Sequence, residues 1–160
     1  MCEQIKKLSE WRSAAATLLF APLPDEPDVL PLFDAVNFAL VPRIAETLEV
    51  VPVPGPPPCE GWRRGKYGIW EGTGRAMSTA TIAFALVPGV AFTRNGDRLG
   101  RGKGYYDRFL KTLPPTCFTC GVCFDCQLVD SLPIEPHDVP LDAVVTPSGV
   151  WRRTAVDARE

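Results

Sequence analysis

Five short runs constrain this chain most: "TLLFA" (17–21), "FALVP" (38–42), "IAFALV" (82–87), "FTCGVCF" (118–124) and "LDAVVT" (141–146). Each is largely apolar without polar alternation, and the first four lead into turn-forming or polar residues. Strands with one face in water alternate, so runs like these suit strands covered on both faces. Two segments with helical spacing lie between them. "VLPLFDAVN" puts Val29, Leu32, Phe33 and Val36 on one face, and "YYDRFLKTL" does the same with Tyr106, Phe109, Leu110 and Leu113. Alternating strand and helix predicts an α/β fold, a mainly parallel sheet flanked by helices, in a single domain over residues 1–160. The 17 prolines imply many corners rather than long helices. "VPVPGPPP" (51–58) reads as a stiff surface connector, partly polyproline II, in preference to a docking motif for an SH3-like partner.

The net charge of −2 gives no bulk attraction to nucleic acid or membrane, so any anion site must be local. "MCEQIKKLSEW" lacks the apolar stretch of a signal peptide. The longest apolar run, "IAFALVPGVAF", contains Pro88 and falls far short of the roughly 20 residues a membrane helix needs. The expectation is a cytoplasmic monomer with small-molecule partners, no nucleic acid and no membrane.

Cys117, Cys120, Cys123 and Cys126 stand at a constant spacing of three in "CFTCGVCFDC". Iron–sulfur proteins use a similar run, but a cluster needs thiolates that converge from a loop. The intervening residues here are mostly strand formers. An extended strand sends Cys117 and Cys123 to one side and Cys120 and Cys126 to the other. These cysteines are therefore read as small buried hydrophobes.

"RLGRGKGYYD" (98–107) carries the chemistry. Gly100, Gly102 and Gly104 let backbone N–H groups approach an oxyanion, and a helix is predicted to start directly after them. Arg94 to Lys111 holds six basic and two acidic residues, a local positive patch. The spacing matches neither a Walker loop nor a dinucleotide fingerprint. Phosphate binding and a solvated glycine-rich hairpin both remain open on these residues alone.

The longer stretch "PGVAFTRNGDRLGRGKGYYDRFL" closely resembles the signature of the 5-formyltetrahydrofolate cyclo-ligase family. "GVCFDCQLVDSLPIEPHDVPLDAVVTPSG", "LLFAPLPDEPDV" and "GKYGIWEG" are similar to further segments of that family, so the likeness covers about residues 13 to 150. It implies a Rossmann-like fold of the NagB/RpiA/CoA-transferase type. It also implies ATP- and Mg²⁺-dependent conversion of 5-formyltetrahydrofolate to 5,10-methenyltetrahydrofolate, with release of ADP and phosphate. The alternative is a binder of nucleotide or folate that does not catalyse.

Residue by residue, the resemblance assigns ATP to Arg98, Leu99, Gly100, Arg101, Gly102, Lys103, Gly104, Tyr105 and Tyr106. It assigns folate to Ala21, Glu26, Tyr67, Arg101, Lys103 and Tyr105, and the metal to Asp107 and Asp138. Beside these roles, Glu26 and Asp107 also suit plain first-turn carboxylates. His137, the lone histidine, is read as structural. The family's usual start is a longer helical segment whose lysine and arginine reach ATP. Here about a dozen residues precede the first strand, with Lys6, Lys7 and Arg12 as the available substitutes. Ala83 and Thr93 stand where the family has aspartates.

Overall fold

The computed structural model describes residues 1–154. Two short helices open the chain, α1 (Cys2–Lys6) and α2 (Ser9–Ser13), followed by β1 (Thr17–Leu18), β2 (Ala39–Ile44) and β3 (Leu48–Val53). A small hairpin, β4 (Trp62–Arg64) and β5 (Trp70–Gly72), precedes β6 (Phe84–Val87), β7 (Ala91–Thr93) and β8 (Arg98–Leu99). Then come α3 (Tyr105–Leu110), β9 (Phe118–Val122), β10 (Leu128–Val129), β11 (Ala143–Thr146) and β12 (Gly149–Arg152).

Seven strands form the main sheet in the order β12-β11-β9-β6-β1-β2-β3. The five inner strands are parallel, and β3 and β12 close the two edges antiparallel. Each apolar run of the sequence contributes one inner strand. Period-2 alternation then divides their side chains between two cores. Leu19, Phe84, Leu86, Cys120, Val122, Ala143 and Val145 face one side with Ile5, Trp11, Leu32 and Phe33. Leu18, Ala85, Val87, Val144 and Cys123 face the other with Phe92, Phe109, Leu110 and Leu141. Trp11 meets Phe84 edge-on at 5.3 Å, which anchors α2 to the middle of the sheet.

Helices cover the sheet less than the sequence predicts. In place of the predicted α-helix, residues Leu30–Ala35 form a 3-10 turn with Pro31 near its start. Val29, Leu32 and Phe33 are nonetheless buried, so the predicted apolar face survives. The second predicted helix shortens to the six residues of α3. The proline-rich connector is shorter too. "VPV" at its start belongs to β3, where the edge position tolerates Pro52, which has no N–H to donate to a ladder.

The cysteines do not converge. Cys117 and Cys123 join one core and Cys120 the other, on opposite faces of β9. Cys126 departs from the expectation: β9 ends at Val122, and Cys126 lies exposed in the 3-10 turn Asp125–Gln127. Burial pushes the Cys117 and Cys123 thiols up to about 12 and Cys120 higher still, so none is a thiolate at neutral pH. Among the described residues, no helix is long and apolar enough to cross a membrane.

Candidate functional site

In chain order the five parallel strands lie 2-1-3-4-5, so the chain leaves β1 toward one side and resumes at β6 on the other. Loops at the C-terminal ends of β1 and β6 therefore diverge and leave a crevice, the usual ligand position in open α/β sheets. A cavity of about 410 Å³ opens there. Phe20, Ala21, Leu23 and Glu26 line it from the loop after β1, and Pro88 and Gly89 from the loop after β6. Pro42, Ile44 and Leu48 of the β2–β3 hairpin form an apolar wall, and Tyr67, Ile69, Trp70 and Glu71 form the end beside the small hairpin.

The glycine loop closes the opposite end. Gly100, Arg101, Lys103, Gly104, Tyr105, Tyr106 and Asp107 all face the cavity, with Arg98 at the loop's start. Gly102 and Gly104 adopt positive φ (82° and 64°), which folds the backbone back before α3. Because α3 has only six residues, its dipole adds little, and the side chains supply most of the positive charge. Leu99 and Gly102 are not on the cavity wall.

The charged residues differ in how far they are already committed. The Arg98 side chain is only 4% exposed; its Nη2 donates to Asp107 Oδ1 at 2.7 Å and its Nη1 to the Pro88 carbonyl at 3.3 Å. Its guanidinium also lies 5.5 Å over the Tyr106 ring. Arg98 thus ties β8, α3 and the loop after β6 together. Arg101 reaches across the mouth, its Nη2 donating to both Asp25 oxygens at 2.8 Å and to Glu26 Oε1 at 3.4 Å. That contact holds the Asp25 carboxyl below its usual range and raises Arg101. The Glu26 side chain is only 7% exposed, and its second oxygen accepts from the Leu23 N–H at 2.9 Å. Lys103 makes no side-chain hydrogen bond or ion pair among the described residues. Burial raises the Tyr106 hydroxyl well above its ordinary value, so it stays a neutral donor.

Asp138 lies away from this wall. Its Oδ2 accepts from the Glu135 N–H at 2.8 Å, and His137 sits 3.1 Å from Glu135 and 3.7 Å from Asp138 in the same turn. Among the described residues no group of three or more His, Cys, Asp and Glu side chains gathers to hold a metal. Of the two aspartates only Asp107 lines the cavity, and Arg98 engages one of its oxygens. That fits Mg²⁺ held chiefly by a nucleotide's phosphates, since the ion commonly takes one or two carboxylates and keeps water. Lys6, Lys7 and Arg12 do not line the cavity, and Lys6 is paired with Glu3 at 2.8 Å.

The family model described as 5-formyltetrahydrofolate cyclo-ligase matches residues 1–147. The chain belongs to the 5-formyltetrahydrofolate cyclo-ligase family. The cyclo-ligase of Escherichia coli (strain K12) is 51% identical over 72 residues, 41% of this chain and 37% of that protein. The chain therefore aligns with well under two thirds of that relative's length. A probable cyclo-ligase of Schizosaccharomyces pombe is 29% identical over 95% of this chain and 84% of its own. The solution structure of Aquifex aeolicus 5,10-methenyltetrahydrofolate synthetase superposes with a TM-score of 0.82 at 32% identity, covering 99% of this chain and 81% of that one.

Within this cyclo-ligase fold, Glu26, Tyr67 and the glycine loop, which are 75 residues or more apart at their extremes, come together around one cavity. Trp70, Glu71 and the apolar β2–β3 wall went unread in the sequence. A carboxylate inside the otherwise apolar "IWEG" was the available signal for Glu71, which is 4% exposed and accepts from the Ile44 N–H at 3.4 Å.

Proposed function

We propose that this chain is an ATP-dependent 5-formyltetrahydrofolate cyclo-ligase producing 5,10-methenyltetrahydrofolate, ADP and phosphate. One observation carries this reading: the cationic glycine loop and an apolar, aromatic-ended chamber open into the same cavity. Phosphates at the loop and a flat heterocycle in the chamber would meet there, at the loop. Phosphoryl transfer depends on positioning and charge neutralisation more than on a covalent nucleophile.

In the proposed reaction the formyl oxygen attacks the γ-phosphorus of ATP and ADP leaves. The second folate nitrogen then attacks the activated carbon, phosphate departs and the ring closes. Arg101 and Lys103 neutralise the phosphates, and backbone N–H groups of the loop approach their oxygens. Glu26 accepts hydrogen bonds from the donor edge of the pterin, Ala21 and Tyr67 contact its ring system, and Arg98 keeps Asp107 oriented toward the cavity. Asp107 is the residue that would hold Mg²⁺ here, and the ion would offset charge building on the phosphates. The apolar wall limits the water that could hydrolyse an activated formyl group.

A second reading, a binder without turnover, is favoured by one feature: among the described residues, every Lys and Arg on the cavity wall comes from positions 98–103. Absorbance at the methenyl product band separates the two. Purified chain with 5-formyltetrahydrofolate, ATP and Mg²⁺ should raise that band, and omission of any one component should abolish the rise. Saturable binding of both ligands with no absorbance change would establish the binder instead.

A further inference from the structure

The glycine loop has little of its own to hold it in place. Gly100 and Gly102 flank Arg101, and a methyl group added to Gly102 would meet nothing within 4 Å. Among the described residues no main-chain to main-chain hydrogen bond involves Gly100, Arg101 or Gly102. A glycine-rich span this open gives up conformational entropy when it settles on a ligand. Across the mouth stands a stiffer piece, the turn Leu23–Glu26. The Glu26 N–H donates to the Leu23 carbonyl at 3.0 Å, and the Leu23 N–H donates back to Glu26 Oε2 at 2.9 Å. Pro24 occupies the second position of this turn, where its fixed φ suits the bend, and Pro22 and Pro27 flank it.

Asp25 is the third residue of that turn, and it is not on the cavity wall, whereas Arg101 and Glu26 are. Its contact with the loop engages a single nitrogen. Arg101 Nη2 donates to both Asp25 oxygens at 2.8 Å and more weakly to Glu26 Oε1 at 3.4 Å. Among the described residues Arg101 Nη1 and Nε make no hydrogen bond. One corner of the guanidinium is thus moored on a rigid turn while its other donors stay free for an anion.

We propose that Asp25 is a positioning residue for the nucleotide: by mooring Arg101 it sets the glycine loop over the cavity before ATP arrives. The inference rests on the nucleotide reading of that loop. Asp25 touches neither ligand; it acts through Arg101, by removing in advance part of the ordering cost of the loop and of a long side chain. The sign of its effect separates this role from a purely electrostatic one. A carboxylate near phosphates repels them, so by charge alone its neutralisation would tighten ATP binding. A mooring post predicts the reverse.

Titration calorimetry with ATP and Mg²⁺ tests this on the native chain, Asp25→Asn, Arg101→Gln and the double variant. Asp25→Asn should weaken ATP binding about fivefold, the scale of immobilising one long side chain. Arg101→Gln should weaken it at least as much. Adding Asp25→Asn to Arg101→Gln should change nothing further, because the aspartate acts only through that guanidinium. Asp25→Glu, which keeps the carboxylate, should bind ATP nearly as the native chain does. The Asp25 side chain is 66% exposed, so Asp25→Asn should keep the native unfolding midpoint in urea. Native or tighter ATP binding by Asp25→Asn, or the same loss with Arg101 already replaced, overturns the proposal alone. Failure of the native chain to bind ATP saturably would overturn the nucleotide reading itself, and this inference with it.

Discussion

At the scale of single residues, the glycine loop contains cations with different tasks. Lys103 is exposed and uncommitted, whereas the Arg98 side chain is covered and engaged with Asp107. Replacing each by alanine should therefore fail in different ways. If Lys103 neutralises a phosphate as proposed, Lys103→Ala removes one charge-assisted contact, about 1.5–3 kcal/mol, or roughly ten- to more than a hundredfold in ATP affinity. Calorimetry should show a much smaller effect on folate and an unchanged unfolding midpoint. Arg98→Ala leaves Asp107 without its partner and should cost about 3 kcal/mol of stability, read from urea unfolding. Equal ATP and folate losses in Lys103→Ala would mean that Lys103 holds the cavity's shape instead of the nucleotide.

At the scale of elements, the site depends on turns more than on helices. The β7–β8 hairpin delivers Arg98 to the cavity through the turn Thr93–Asp97, closed by the Gly96 N–H donating to the Thr93 carbonyl at 3.1 Å. Gly96 has φ 89°, and its carbonyl accepts from the Leu141 N–H at 2.8 Å. A methyl group there would lie only 2.1 Å from the Leu141 carbonyl oxygen. Gly96→Ala combines a left-handed backbone with a clash against main chain, and should destabilise by about 2–4 kcal/mol. Chemical denaturation should report that loss, along with weaker ATP binding as Arg98 loses its position. An alanine variant of native stability would show that the Leu141 segment can yield.

At the scale of the whole molecule, the second helix and the last described strand are tied by one ion pair. Arg152 of β12 donates to both oxygens of Glu10 in α2, at 2.7 and 3.0 Å. That contact is the main reason the Glu10 carboxyl is held at about 2. A carboxylate depressed in the folded state stabilises the protein above its unfolded value, near 4.3. The stabilisation is lost as the pH falls from there toward about 2. Both side chains keep contact with water, 48% for Arg152 and 30% for Glu10, so the pair contributes only about 0.5–1 kcal/mol. Glu10→Gln should lower stability by that amount at neutral pH and by almost nothing near pH 2, in urea titrations at both values. A constant difference across the range would place its effect in packing rather than charge.

Much of this was legible in the residues. Runs such as "IAFALV" and "LDAVVT" determined a sheet buried on both faces, because no polar residue in them alternates with period 2. "RLGRGKGYYD" announced a tight backbone turn among cations, and Gly102 and Gly104 do take positive φ there. The cysteine spacing determined opposite faces for Cys117 and Cys120 once a strand was granted. Other features were decided only by the fold. Helix lengths were among them, since Leu30–Ala35 forms a 3-10 turn and α3 ends after six residues. Cys126 left the strand because β9 stops at Val122. The wall of Pro42, Ile44, Leu48, Trp70 and Glu71 exists because strand order brings separate hairpins to the ends of β1 and β6. The commitments of Arg98 to Asp107 and of Arg101 to Asp25 are likewise tertiary, since Arg101 and Asp25 stand 76 residues apart and nothing local joins them.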